Sequence, residues 1–332
     1  MLGVTALLRY GVIGTGWITR ALIEGALAYP DLRLTAVCSR DAERGRAFAE
    51  DYGSARVFTD PATMAASDDI DMVYIASPNA CHVRQSRLFL EAGKHVLCEK
   101  PLTAFPEEVE QLQRLAHSKG LLFREAIMLL YQPQLTVLQQ AVEACGRISS
   151  AHFQFFQLSS KYEAYCHGET PNIFNPALHT GTLMDLGVYC VYPALLLFGE
   201  PIRVSAAASF MSTGADGSGS AILHYPDKEV VLSYSKVGQG IAPSEIIGDR
   251  ATVTVGSIAK LEDIQLHPYG GQPQQLHGVD SKATLMGREI AAFARAVRGE
   301  DPMGETADRL ALAVSRLMYT IREKAGIRFP GE

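Results

Sequence analysis

Lys100 stands between Glu99 and Pro101 at the end of the apolar run His95–Cys98. Far along the chain, Asp185 and Tyr189 lie four residues apart in Gly181-Thr182-Leu183-Met184-Asp185-Leu186-Gly187-Val188-Tyr189-Cys190. On a helix that spacing sets the carboxylate and the phenol on one face, and Gly187 between them leaves room for a close neighbour. A carbinol that loses a hydride must also lose its hydroxyl proton, which requires a positioned acid/base. A phenol titrates near pH ~10, and a nearby ammonium lowers it toward the working range; Lys100 is the evident ammonium. The proline ring holds Lys100 extended, and a cis peptide at Pro101 would turn it into a crevice. The same residues have plainer uses. A lysine at a strand end is often a solvated charge, Tyr189 can be a packed and satisfied hydroxyl, and Asp185 can cap or pair locally.

A second constellation sits near the start. Tyr10-Gly11-Val12-Ile13-Gly14-Thr15-Gly16-Trp17-Ile18-Thr19 reads as a strand running into a helix. Gly14 permits the tight turn, and Gly16 lets the backbone approach a pyrophosphate seated on the helix N-terminus that Trp17 and Ile18 open. The third small residue of this dinucleotide fingerprint is Thr19, which is expected to loosen helix–strand packing slightly. A glycine turn without a ligand is the plainer reading, but the strand before it and the helix after it favour a nucleotide. The next strand ends in Ser39-Arg40 where an NAD site usually carries an acid. A hydroxyl and a guanidinium suit a 2′-phosphate, so NADP is the preferred cofactor, while Asp41 keeps NAD open. Ser77-Pro78-Asn79 closes a third strand, with His82 in the first turn of the helix that follows. Ligands of a doubly wound sheet lie beyond the carboxyl ends of its strands, where Glu99 and Lys100 also stand.

These residues need a scaffold, and the hydrophobic pattern supplies two. Strand-like runs at Tyr10–Ile13, Leu34–Cys38, Met72–Ile75, His95–Cys98 and Leu121–Phe123 alternate with helical patterns at about 17–29, 41–52, 81–92 and 106–118. Such alternation means a parallel sheet with right-handed crossovers. After residue 147 the runs follow one another: Ser149–Leu158, Ile202–Ser212, Ser218–His224, Glu229–Tyr234, Glu245–Gly248, Thr252–Val255 and Glu262–His267. Short turns between them, at Asp216-Gly217 and Pro226-Asp227, imply an antiparallel sheet. One helix, about Leu183–Phe198, interrupts the strands, and two more, about 283–298 and 305–324, close the chain. The fold expected is α/β: a Rossmann doubly wound domain over residues 1–128, then an α+β substrate and oligomerisation domain over 129–332 whose last helices can pack back on the first.

Composition narrows the function. The 332 residues carry 36 acidic and 30 basic side chains, a net charge of −6, which disfavours nucleic acid and anionic membranes as partners. The six cysteines form no CxxC pair and join no histidine cluster at zinc spacing, so no metal is expected. No apolar run is expected to reach the roughly 18 residues of a membrane span. The first nine residues, Met1 to Arg9, lack a basic leader region and a cleavage site, so the expected location is cytoplasmic.

Taken together, the Gly14–Gly16 turn, Ser77-Pro78-Asn79 with His82, Gly93-Lys94-His95-Val96 with Glu99-Lys100-Pro101, Glu125-Ala126 with Pro133, and Asp185-Leu186-Gly187-Val188-Tyr189 resemble the Gfo/Idh/MocA oxidoreductases over nearly the whole chain. The resemblance implies a second domain with a large open sheet, often used to pair subunits into dimers or tetramers. It implies that Lys100 touches substrate and nicotinamide ribose. Tyr at 189, where many members carry His, is similar to the branch of dimeric dihydrodiol dehydrogenase and NADP-dependent D-xylose dehydrogenase, in which the tyrosine is the proposed acid/base; the resemblance implies that Asp185 would orient a substrate hydroxyl or support the proton path. Two departures concern the pocket. Leu130 stands where the branch has an arginine before Pro133, and the entry to the helix is Thr180-Gly181, with Asn175 and His179 beside it as substrate candidates. The expected activity is hydride transfer between NADP and a sugar, polyol, trans-diol or matching carbonyl. A non-catalytic cofactor-dependent regulator and an enzyme using tightly bound cofactor transiently are the alternatives.

Overall fold

A computed structural model describes residues 7–332 apart from Ser54 and Pro302. Most of the segment read as a lead into the first strand, residues 1–6, therefore lies outside the described residues. The chain divides into two units. The first comprises the residues up to Thr103, Glu107–Tyr131 and Ser281–Ala311; the second comprises Ala104–Pro106, Gln132–Asp280 and Leu312–Glu332. The sequence reading places one cut after residue 128 and lets the last helices pack back on the first domain; along the chain, Ser281–Ala311 belongs to the first unit.

In the first unit, β1 (Leu8–Ile13), α1 (Trp17–Ala26), β2 (Leu32–Cys38), α2 (Ala42–Glu50), β3 (Arg56–Phe58), α3 (Pro61–Ala65), β4 (Met72–Ile75), α4 (Asn79–Glu91), β5 (His95–Glu99), α5 (Pro106–Ser118) and β6 (Phe123–Ala126) alternate. The strands lie in the order β3-β2-β1-β4-β5-β6, all parallel. This is the doubly wound dinucleotide-binding order. Val12, Val37, Tyr74 and Leu97 are fully buried in its core, as continuous apolar strands covered on both faces must be. β6 starts at Phe123, two residues later than the expected 121–123. β3 and α3 escape a pattern reading because three and five residues carry too little periodicity.

In the second unit, α6 (Gln134–Ala144) and β7 (Ile148–Phe156) lead through α7 (Tyr162–Cys166) and short 3₁₀ turns to α8 (Val188–Phe198). Then come β8 (Arg203–Phe210), β9 (Asp216–His224), β10 (Glu229–Ser235), β11 (Ser244–Gly248), β12 (Ala251–Ser257), β13 (Glu262–Pro268) and β14 (Gln274–His277). They form one eight-stranded sheet in the order β14-β13-β12-β11-β7-β10-β9-β8, antiparallel except where β7 meets β10. Asp216-Gly217 is not the turn expected: the turn is made by residues 211–215, where Met211 N–H donates to Ala215, and Asp216 opens β9 completely buried. The segment Pro176–Phe198 is, contrary to the sequence expectation, long and apolar enough to cross a membrane, but most of it is buried inside the fold.

Two helices close the chain, α9 (Lys282–Val297) and α10 (Glu305–Ala325). α9 packs on α1 in the first unit through two glycines. A Cβ on Gly287 would stand 2.6 Å from the carbonyl oxygen of Gly25, and one on Gly25 would stand 2.5 Å from the nitrogen of Gly287. Only the absence of side chains lets these backbones touch.

Candidate active site

The cofactor arm is built in the first unit. Gly14 has φ +103°, and a Cβ there would lie 2.5 Å from the carbonyl oxygen of Ala76, so only glycine makes this turn. Gly16 precedes α1, whose first N–H groups have no capping side chain. A Cβ on Gly16 would meet nothing within 4 Å. Open space in front of an uncapped helix N-terminus fits a pyrophosphate. Trp17 is 70% exposed, with Lys282 Nζ 5.8 Å from its ring centre, while Ile18 packs against the core. Thr19 does not loosen the packing. It is fully buried, and its hydroxyl has no partner among the described residues.

At the end of β2, Ser39 is nearly buried and Arg40 is exposed. Asp41 is the N-cap of α2, its Oδ1 accepting from Glu43 N–H at 2.9 Å and Arg44 N–H at 3.1 Å. The carboxylate weighed for a ribose hydroxyl is thus engaged by its own helix.

At the ends of β4 and β5, Ser77 Oγ donates to Gln85 Oε1 at 2.6 Å. Pro78 precedes α4, which starts at Asn79. His82 is buried, one ring nitrogen 2.9 Å from the Ser77 carbonyl and the other 3.0 Å from that of Pro101; burial lowers its pKa. A neutral imidazole has a single N–H to donate, so His82 bonds one of these two loop carbonyls while its ring stays buried between them. The Lys100–Pro101 peptide is cis. Glu99 accepts from the Tyr74 hydroxyl; burial pushes its carboxyl up, and the Lys100 ammonium and the tyrosine bond oppose this. Behind it lie two carboxyls that the sequence did not single out together. Glu125 accepts from Leu102 N–H at 3.1 Å. Glu289 of α9 is fully buried, its carboxyl pushed well up by burial and then by Glu99.

Asp185 and Tyr189, the residues expected from sequence to handle the proton, lie in the second unit. Helix formation begins at Leu183, but Leu183–Gly187 is a π turn, Val188 N–H reaching back to Leu183, and the α-helix runs from Val188. Single π turns are often found at functional sites. Pro193 lies inside α8 and has no N–H for the carbonyl of Tyr189. The wider turn changes the i, i+4 geometry assumed from sequence, and tertiary partners hold the two side chains instead. Asp185 pairs with the ammonium of Lys236, just beyond β10. Tyr189, 8% exposed, sets its ring edge against Phe155 with centres 5.7 Å apart. The space left at Gly187 is used: a Cβ there would stand 3.2 Å from the ring of Tyr234.

Asp216 explains why the helix starts where it does. Its Oδ2 accepts from Leu183 N–H at 2.6 Å, and its carbonyl accepts from the Thr182 hydroxyl at 2.8 Å. A Cβ on Gly181 would stand 3.0 Å from Asp216 Cγ, so the entry glycine makes way for this carboxyl. Burial pushes Asp216 up to about 7, against the pull of the Leu183 N–H. Lys236 and Asp216 had no readable signal: a lysine past a strand end looks solvated, and an Asp before a Gly looks like a turn.

The remaining substrate candidates are structurally engaged. Asn175 Oδ1 accepts from Ala177 N–H at 3.1 Å, capping a 3₁₀ turn. His179 has φ +54° and stacks on Phe329 with centres 5.1 Å apart and 27° between planes. Leu130 is buried in a 3₁₀ turn of the first unit, Met128–Tyr131. No group of three or more His, Cys, Asp or Glu side chains arranged to hold a metal occurs among the described residues.

Comparison with known proteins agrees with this architecture. Residues 8–126 match the family model described as an oxidoreductase family with an NAD-binding Rossmann fold, and residues 138–254 match the GFO/IDH/MocA C-terminal domain. The chain is 37% identical over 328 residues to the scyllo-inositol 2-dehydrogenase (NADP(+)) of Bacillus subtilis, covering 98% of this chain and 99% of that one. It is 27% identical over 330 residues to D-xylose 1-dehydrogenase (NADP(+)) 2 of Haloferax volcanii, covering 96% and 97%. Among solved structures it is similar to KijD10, a 3-ketoreductase from Actinomadura kijaniata in complex with NADP and TDP-benzene, with TM-score 0.85, 25% identity and coverage of 96% and 98%. The chain belongs to the Gfo/Idh/MocA family of NAD(P)-dependent oxidoreductases.

Proposed function

We propose that the protein is an NADP-dependent dehydrogenase or reductase acting on a sugar, a polyol or a trans-diol, or on the matching carbonyl. The observation that carries the cofactor choice is the end of β2. Ser39 and Arg40 offer a hydroxyl and a fixed positive charge, while Asp41 is spent on capping α2. Relatives named for NADP-linked oxidation of scyllo-inositol and D-xylose support the substrate class. When bound, the nicotinamide supplies or accepts the hydride. In this reading Tyr189 moves the hydroxyl proton, Lys100 supplies the ammonium that draws the phenol toward its working range, and Asp185 accepts from a substrate hydroxyl and orients it. Gly16 and the α1 N-terminus hold the pyrophosphate.

Fluorescence titration with NADPH and NADH tests the cofactor: NADPH is expected to bind at least about tenfold tighter, a gap of ~1.4 kcal/mol. Equal affinities would return the ribose to Asp41 and defeat the NADP reading. Oxidation of scyllo-inositol, myo-inositol and D-xylose with NADP(+) tests the substrate class, and Lys100→Met and Tyr189→Phe should each abolish turnover while most NADPH affinity remains. Near-normal turnover in either variant would overturn their assigned roles.

A further inference from the structure

The reading above gives Asp185 one task, accepting from a substrate hydroxyl, and that task requires an ionised carboxylate held in one orientation. The π turn that carries it leaves its neighbours Met184 and Leu186 buried and apolar. The partner comes from across the unit, 51 residues away. The Lys236 ammonium donates to Asp185 Oδ2. The lysine side chain is 9% exposed and the Asp185 side chain 26%, so the cation is enclosed while the carboxylate keeps an open edge.

The lysine is also fixed along its backbone. Lys236 N–H donates to Gly217 at 3.0 Å, and its carbonyl accepts from Ser159 N–H at 2.9 Å. Residue 217 follows Asp216, whose carboxyl caps the turn bearing Asp185 and is raised by burial, with the charge of Lys236 among the weaker influences opposing this. The titratable groups on the elements packed here include Asp185, Tyr189, Cys190 and Tyr192 of the π turn and α8, His152 of β7, Asp216 of β9, and Tyr234 with Lys236 at the end of β10. Lys236 is the cation the structure pairs with Asp185 in this set. A buried ammonium is costly to desolvate unless paired, so its position gains sense from the carboxylate it meets.

We propose that Lys236 is a positioning residue for the substrate hydroxyl site: its ammonium keeps Asp185 ionised and fixes one carboxylate oxygen, and with it the orientation in which the carboxylate meets the hydroxyl of the polyol or sugar. This rests on the proposed function for the identity of the substrate, but the electrostatic link between the two side chains does not.

The test follows the carboxyl of Asp185 directly, in protein labelled with [4-¹³C]aspartate, the signal being assigned by its loss in Asp185→Asn. In the full-length wild type, Asp185 should stay ionised down to a lower pH than an ordinary aspartate. In Lys236→Met, and in Lys236→Gln should the methionine variant not fold, its midpoint should rise by at least one pH unit, a tenfold change in proton affinity. Lys236→Arg should bring it most of the way back. An unchanged midpoint in both neutral variants would overturn the proposal. Kinetics with the best substrate among scyllo-inositol, myo-inositol and D-xylose form the second readout. Loss of Lys236 should raise KM about tenfold or more, change kcat by less than about threefold, and leave NADPH affinity unaltered, the pattern of lost substrate binding. A fall in kcat with KM unchanged would also overturn it. If the wild type oxidises none of the three, the substrate reading fails while the carboxyl titration still decides the role of Lys236.

Discussion

At the scale of single residues, the cofactor end is decided by short-range chemistry. Gly14 has a backbone conformation closed to other residues and a carbonyl where its Cβ would be. On the proposed reading the choice between NADP and NAD turns on Arg40. Arg40→Ala should weaken NADPH binding about tenfold or more while NADH binding shifts less than about twofold, because only the 2′-phosphate needs the guanidinium; parallel losses for both would mean that the arginine serves the adenine or the fold. Asp41→Ala is expected to cost about 1 kcal/mol of stability, the usual value of a helix cap, and to leave the NADPH preference intact. A reversed preference in that variant would show that the aspartate reads the ribose after all.

At the scale of elements, two contacts carry most of the organisation around the site. α1 is pressed against α9 at Gly25 and Gly287, with backbone atoms where any Cβ would go. Gly25→Ala or Gly287→Ala should therefore destabilise the protein by ~1–3 kcal/mol, the usual cost of overpacking, seen as an earlier denaturant midpoint, and, on the proposed reading in which the α1 N-terminus holds the pyrophosphate, should weaken NADPH binding. The second contact is Asp216 beneath the π turn. Its carboxyl has an ordinary value of 3.8 and titrates near 7 when folded. The folded protein thus holds a proton that the unfolded chain has released, so stability from this group falls as pH rises from about 4 to 7 and levels off above that. The loss amounts to roughly 4 kcal/mol at ~1.36 kcal/mol per pH unit. Asp216→Asn keeps an acceptor for Leu183 and carries no charge, so its stability should fall less across this range than that of the wild type. Identical pH slopes in chemical denaturation would mean that Asp216 is ionised throughout.

At the scale of the whole molecule, the second unit presents one broad sheet of eight strands, with Phe210 and Ile222 among its exposed apolar side chains. The sequence expectation of a dimer or tetramer paired through this sheet has a direct test. Light scattering should then give at least about twice the 36.0 kDa mass of one chain, and Ile222→Asp should shift that mass toward a single chain. A wild type at one chain mass at micromolar concentration would end that expectation.

Much of this was legible in the sequence alone because it depends on neighbours along the chain. The alternation of strands with helices, the glycine turn, the Ser39-Arg40 pair and the run of later strands all follow from periodicities and local backbone demands. Short elements such as Arg56–Phe58 and Gln274–His277 were not legible, since too few residues carry the pattern. What tertiary structure alone decided is which polar groups meet once hydrophobic packing has brought distant segments together. It buried His82 between two loops, made Asp216 a buried cap rather than a turn, and turned the start of the Tyr189 helix into a π turn. It also set Lys236 against Asp185 across 51 residues. Burial gives those groups their energies, and burial belongs to the folded chain, not to any window of the sequence.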